Sequence, residues 1–247
     1  MTREGRITAG AIRQMGGDEL IELVNDCLDR LGEDELLAVL GNRYCTSQLC
    51  LLVASHPRAS SSYRIRARLV EHRATPQAHA LKFVHYLYWP DLLRISIDVR
   101  VPPAVRRAVD KQLVTKIQKM ALGEKMAAAR RCSRELVKVL LFDPSPRVFR
   151  ELLINQRLQE EDLVALLATD HVTVEKLTMT ANHAKWSSRY SVRIALVKNA
   201  STPRGIAASQ LRFLRAVDLR ALHDDVQTSV YLRRCIERQM SSGIRPR

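Results

Sequence analysis

The sequence predicts an all-α protein, a right-handed α-solenoid of short stacked helices built from a tandem duplication. Three observations lead to this prediction. The chain aligns with itself, prolines and glycines separate short segments of helical periodicity, and the same helix-start signals recur in both copies. Because a compact bundle uses longer helices, short helices in a repeated order favour a stacked superhelix.

The duplication aligns residues 31–117 with residues 158–244 at a constant shift of 127, without a gap. About 25 of the aligned positions are identical, and most others exchange similar side chains. The chain therefore divides into an N-terminal tail and capping helix (1–30), a first repeat half (31–117), a helical bridge (118–157) and a second repeat half (158–247). We expect about fourteen to sixteen helices in one continuous solenoid.

Helix starts are indicated by a hydroxyl residue followed by proline. Thr75-Pro76, Thr202-Pro203 and Ser145-Pro146 each offer a side-chain N-cap before a proline at the first helical position. One segment is ambiguous, because apolar residues alternate with arginines from Tyr63 to Leu69, which is a strand pattern. The aligned segment of the second copy follows a helical face instead, so we predict helices in both, with a strand as the alternative.

The phrases at residues 196–203 (LVKNASTP) and 69–76 (LVEHRATP), with Asn155 in a related setting, resemble the bacterial leucine-rich repeat variant, an α-solenoid similar in style to HEAT arrays. The resemblance covers most of residues 31–244 and implies a fold rather than a function. Members of that family can carry a cysteine-ligated iron-sulfur cluster near the N-terminus. This chain lacks clustered cysteines, so no cofactor is expected.

The five cysteines form no CxxC pair, and the seven histidines do not fall at metal-ligand spacing with a cysteine or acidic partner. Buried thiols in a reducing compartment are therefore expected, and no metal site. The opening stretch through Gly17 lacks the apolar core of a signal peptide, and no run approaches the roughly 18 apolar residues of a membrane span. These patterns predict a cytoplasmic protein without a membrane partner.

Charge is the main functional signal, since the net charge is +14. It is banded in step with the duplication: residues 1–60 carry −3, 61–150 carry +12, 151–180 carry −4 and 181–247 carry +9. Equivalent positions of a solenoid project to the same side, so arginines retained in both copies predict a basic stripe that binds phosphates. The predicted polyanion-binding residues are Arg106, Arg107, Arg233, Arg234, Arg66, Arg193, Arg64, Lys111, Lys116, Arg130, Arg131 and Arg189. Nearby basic residues that extend the stripe are Arg68, Lys119, Lys198, Arg212, Arg215 and Arg238.

A structural role for these arginines is the alternative, because an arginine at a helix edge often bridges to the carboxylate or carbonyl of the next repeat. We favour it for Arg66 and Arg193. We favour surface binding for the Arg106-Arg107 and Arg233-Arg234 doublets, where two guanidinium groups cannot share one buried partner.

We favour packing against a neighbouring helix for the aromatic rings of Tyr88 and Trp89, and the alternative is an aromatic contact patch for the partner. Trp89 and Asp91 are also the candidates for catalysis if the chain is similar to the alkylpurine DNA glycosylases built from HEAT-like repeats. The local sequence does not match the motif of those enzymes, and Asp91 recurs as Asp218, where a role at a helix start accounts for both.

The sequence therefore favours a non-catalytic module whose basic side binds nucleic-acid backbone, DNA or RNA, without strong sequence preference. The alternative is a protein-interaction scaffold that docks an acidic protein, and a DNA glycosylase is the lesser alternative. No small-molecule substrate is evident.

Overall fold

The computed structural model describes residues 8–170 and 172–241, which contain 19 α-helices and no strand. The chain divides into two compact units between Met120 and Ala121. None of the described helices is long and apolar enough to cross a membrane.

The first unit contains nine helices in the described residues. They are α1 (Ala9–Gln14), α2 (Gly17–Cys27), α3 (Glu33–Gly41), α4 (Ser47–Ser55), α5 (Pro57–Ser61), α6 (Tyr63–Glu71), α7 (Gln77–Val84), α8 (Trp89–Ile97) and α9 (Pro103–Ile117). The helix α1 lies in the stretch that we expected to be a tail, and its Ile12 is completely buried.

The second unit contains ten described helices. They are α10 (Leu122–Ala129), α11 (Arg134–Leu140), α12 (Pro146–Leu153), α13 (Glu160–Leu167), α14 (Val174–Asn182), α15 (Ala184–Ser187), α16 (Tyr190–Lys198), α17 (Arg204–Leu211), α18 (Ala216–Asp224) and α19 (Val230–Ser241). Each helix from α3 to α9 begins 127 residues before its counterpart from α13 to α19, which is the shift that aligns the two halves of the sequence.

The ambiguous segment forms the helix α6, as predicted. Arg64 and Arg68 share one face of this helix, Ile65, Leu69 and Val70 are buried, and Arg66 is half-buried between the buried residues. The aligned segment forms α16. A strand would have placed every second residue on one face, and burial of the adjacent pair Leu69 and Val70 fits a helical stripe instead.

Two of the predicted N-caps are wrong by one position. The helices α7 and α17 begin at Gln77 and Arg204, so Pro76 and Pro203 occupy the cap position and the preceding threonine hydroxyls cap neither helix. Proline has a fixed φ and no N–H, so it fits both the N-cap position and the first position of a helix. Ser145 precedes α12, which begins at Pro146 as predicted, but the Ser145 hydroxyl does not make the predicted capping hydrogen bond.

Asparagine side chains tie the helix ends of one repeat to the preceding repeat. The Nδ2 of Asn155 donates to the Ala129 carbonyl at 2.7 Å, and its Oδ1 accepts from the Arg157 amide at 2.8 Å. Asn199 makes the same pair of contacts with Leu167 and Ser201. These bonds satisfy carbonyls that have no partner inside their own helix, so the helices pack in one register.

Candidate polyanion-binding surface

Arg66 and Arg193 are held by their surroundings in the same way in both units. The Nε of Arg193 donates to the Ser187 carbonyl at 2.6 Å, and its guanidinium lies 3.8 Å from the centre of the Phe213 ring. Arg66 donates to the Ser60 carbonyl and lies 4.6 Å from the Tyr86 ring. Each arginine therefore fixes a turn and an aromatic side chain, which is the structural role favoured for this pair.

The two arginine doublets each split into one anchored and one exposed residue. Arg106 donates from Nε to the Val101 carbonyl at 3.1 Å, and Arg233 donates to the Asp225 and Val226 carbonyls at 3.0 and 2.9 Å. Their neighbours Arg107 and Arg234 are exposed and contact no carboxylate among the described residues. The second member of each doublet is thus available to an external anion.

Three other predicted residues face carboxylates of their own chain. Arg64 contacts Glu33 and Asp34, each at 3.0 Å. Arg130 lies 2.5 Å from Glu151. The longer contact of Arg189 with Glu160, at 3.9 Å, leaves that guanidinium more available. Arg64 and Arg130 are therefore weaker candidates, since a phosphate would have to displace an existing partner.

On α9, Arg107 and Lys111 are exposed and four residues apart, so they lie on one face of the helix. The aligned positions on α19 are Arg234 and Arg238, which are also exposed. Each unit thus presents a pair of cations along its last helix. Lys116 is half-buried further along α9, and Arg131 is exposed after α10.

A cluster of three arginines and two aromatic rings lies between α16 and α18. Arg212 and Arg215 belong to the turn after α17. The Arg212 guanidinium lies 4.6 Å from the Phe213 ring, which Arg193 also covers, and Arg215 lies 4.8 Å from the Tyr190 ring. No described carboxylate forms an ion pair with any of these three arginines. We call this group the arginine cluster.

The aligned part of the first unit carries less charge. His85 and Tyr88 occupy the positions of Arg212 and Arg215, and the Tyr88 ring lies 4.8 Å from the Tyr63 ring. Arg94 on α8 is neutralised by Glu71 and Asp91. The arginine cluster is therefore specific to the second unit.

The proposed aromatic and catalytic residues lie at the start of α8. Tyr88 is 67% exposed, whereas Trp89 is half-buried. Asp91 accepts a hydrogen bond from the Tyr63 hydroxyl and another from Arg94 at 3.0 Å. Burial, together with the hydrogen bond to Asp91, raises the pKa of Tyr63 to about 12.

The second unit repeats the Asp91 contact, since Asp218 accepts from the Tyr190 hydroxyl. Each aspartate also lies in the first turn of its helix, where a negative charge is favourable. A role in anchoring α8 and α18 thus accounts for the recurrence of both carboxylates.

Three potential metal ligands meet in the first unit, although the sequence predicted none. The Sγ atoms of Cys45 and Cys50 are 3.6 Å apart, and the Sγ of Cys50 is 3.2 Å from the Nδ1 of His72. The hydrogen bond with Cys45, and then that with His72, lowers the pKa of Cys50 to about 5, while the same bond and burial raise the pKa of Cys45. The spacing of residues in the sequence did not reveal this group, because His72 lies at the end of α6, two helices after the cysteines at α4.

Comparison of the chain with family models, with curated proteins and with solved structures finds no match in any of the three.

Proposed function

We propose that this protein is a non-catalytic helical-repeat module that binds the sugar-phosphate backbone of nucleic acid through the arginine cluster and the exposed cations of α9 and α19. The proposal includes stacking of the repeats as a right-handed α-solenoid and residence in the cytoplasm. The recurring helix bounds support the solenoid, and the five free thiols support residence in the cytoplasm.

The observation that carries the proposal is the arginine cluster itself. Three guanidinium groups lie against two rings, and no described carboxylate neutralises them. Stacking on a ring restricts the side chain before a ligand arrives, so less conformational entropy is lost on binding. A guanidinium that keeps free N–H groups can then donate two hydrogen bonds to one phosphate.

Backbone contact without base readout is favoured because the exposed groups are cations rather than amides. Arginine binds phosphate in any sequence, and the rings near it are covered by guanidinium groups rather than open for base stacking. Affinity should therefore vary little with sequence and strongly with salt.

The test compares the binding of fluorescent single-stranded RNA and duplex DNA by the full chain and by the double variant R212Q/R215Q, using anisotropy. We expect the double variant to bind about tenfold more weakly, with a salt slope lower by about 2. Its melting temperature should stay unchanged, because glutamine keeps the backbone contacts of the turn.

The matched control is R147Q/R150Q, which removes the same charge from two exposed arginines of α12 that have no described ion pair. Equal weakening by both double variants would show that net charge alone attracts the ligand, which contradicts a defined site. Polyglutamate that competes as well as nucleic acid at equal charge concentration would favour an acidic protein as the partner.

A further inference from the structure

We propose that Cys45, Cys50 and His72 form a zinc site in the first unit, with a water molecule completing a tetrahedral set of ligands. This inference is independent of nucleic-acid binding, since it concerns a different group of residues and a different ligand.

The distances fit a single Zn²⁺ ion. Zinc bonds of about 2.3 Å to sulfur and 2.0 Å to nitrogen place two tetrahedral sulfurs about 3.8 Å apart and sulfur and nitrogen about 3.5 Å apart. The Cys45–Cys50 and Cys50–His72 distances are 3.6 and 3.2 Å, and all three ligand atoms lie within 4.8 Å of one another. The Cys45–Cys50 and Cys50–His72 distances therefore lie within a few tenths of an ångström of the separations that a shared ion requires.

The fold holds the three ligands from separate elements. Cys45 precedes α4, Cys50 lies in its first half and is buried, and His72 is the C-cap of α6. Neighbouring helices α3, α4 and α6 pack against one another, so the group is arranged before a metal arrives. Cys45 and His72 are each half-buried, which leaves a route for the ion and for the water ligand.

The second unit shows what these positions contain when no ligands are present. The aligned residues are Val172, Leu177 and Asn199, none of which pairs with a thiol. All three ligand positions therefore differ in chemistry between copies that share the same helix bounds. A coordinated difference of this kind is explained by one shared ligand.

His72 keeps one of the two structural contacts of its counterpart, because its Nδ1 accepts from the Ala74 amide at 3.2 Å as the Asn199 Oδ1 accepts from the Ser201 amide, and it lacks the other. Asn199 donates to the Leu167 carbonyl at 2.7 Å, whereas in the first unit the aligned Leu40 carbonyl accepts from Arg68 at 3.4 Å. The imidazole Nδ1 instead faces the Cys50 thiol and the Ala74 amide. Arg68 thus supplies the donor that the Leu40 carbonyl would otherwise lack, and zinc binding at Nδ1 would replace the hydrogen bond from the Ala74 amide with a bond to the metal.

The test loads the reduced, metal-free full chain with zinc and, separately, with cobalt as a spectroscopic probe. We expect one zinc per chain and a cobalt spectrum with thiolate charge transfer and the visible bands of a tetrahedral ion. The variants C45V, C50L and H72N place the second unit's residues at the ligand positions, and each should weaken zinc binding at least about 100-fold. The controls C27S and H79N remove a cysteine and a histidine outside the group and should bind zinc like the unaltered chain.

Circular dichroism of the metal-free variants separates a lost ligand from a lost fold. C45V and H72N alter half-buried positions and should melt as the metal-free parent does, whereas C50L enlarges a fully buried side chain and should melt earlier. If H72N and C50L bind zinc as tightly as the parent, the proposal is wrong. It is equally wrong if the reduced parent takes up no zinc, or if a Cys45–Cys50 disulfide is recovered in place of the metal complex.

Discussion

Asn155 offers the sharpest test of how the repeats are held together. Its side chain is 1% exposed and bonds the Ala129 carbonyl at 2.7 Å and the Arg157 amide at 2.8 Å. In the variant N155A the Arg157 amide loses this partner and the Ala129 carbonyl keeps only the weak hydrogen bond from the Cys132 thiol at 3.7 Å, at a combined cost of about 3 kcal/mol. We expect the free energy of unfolding of the second unit to fall by about 3 kcal/mol.

A loss of this size corresponds to a melting temperature lower by about 10 °C for a unit of this length. The assay is urea and thermal unfolding followed by tryptophan fluorescence, because Trp186 is buried in the same unit and donates to the Leu153 carbonyl at 2.8 Å. The control N182A alters an exposed asparagine at the end of α14 and should stay within about 0.5 kcal/mol of the parent. Equal effects of N155A and N182A would refute the reasoning.

Four further predictions concern contacts in the two units. Lys176 is buried and donates to the Leu141 and Asp143 carbonyls at 2.9 and 2.7 Å, so K176L should destabilise by about 2–4 kcal/mol in urea unfolding, although the aligned residue of the first unit is a leucine. Burial lowers the pKa of Lys176 below its ordinary 10.5, so between these two pKa values the unfolded chain binds more protons than the folded chain. The stability of the parent relative to K176L should therefore grow with pH in this range. A difference that stays constant with pH would contradict the prediction. R193K should lower the melting temperature by removing the bond to Ser187, whereas R107Q should not, and equal melting of the two would argue against the structural role. Zinc at about 100 times its dissociation constant should stabilise the first unit by about 2.7 kcal/mol, and the shift should vanish in H72N or on adding a chelator.

Much of the fold was readable from the sequence because helix boundaries depend on local chemistry. Thr46 and Thr173 cap α4 and α14 with their hydroxyls, and the same shift relates them in the sequence. Short helices such as α5 and α15 were harder to predict, because four or five residues do not complete an apolar stripe. The stacking of the repeats remains a prediction.

The candidate sites were harder to predict from the sequence than the fold was. Whether an arginine can bind an external anion depends on the carboxylates that it contacts in the folded protein. Arg64 and Arg107 look alike in the sequence, yet one faces two carboxylates and the other faces none among the described residues. The cysteine and histidine group could have been found by comparing the two copies, because His72 stands where the second copy has Asn199.

Binding of RNA and of duplex DNA by the unaltered chain across a salt series tests the functional proposal most directly. Each exposed cation that contacts a phosphate should contribute about −0.9 to the log-log slope, which predicts a slope steeper than about −4 on duplex DNA and a shallower slope on a single strand. A slope near zero, or no detectable binding at about 50 mM salt, would contradict phosphate recognition by these arginines.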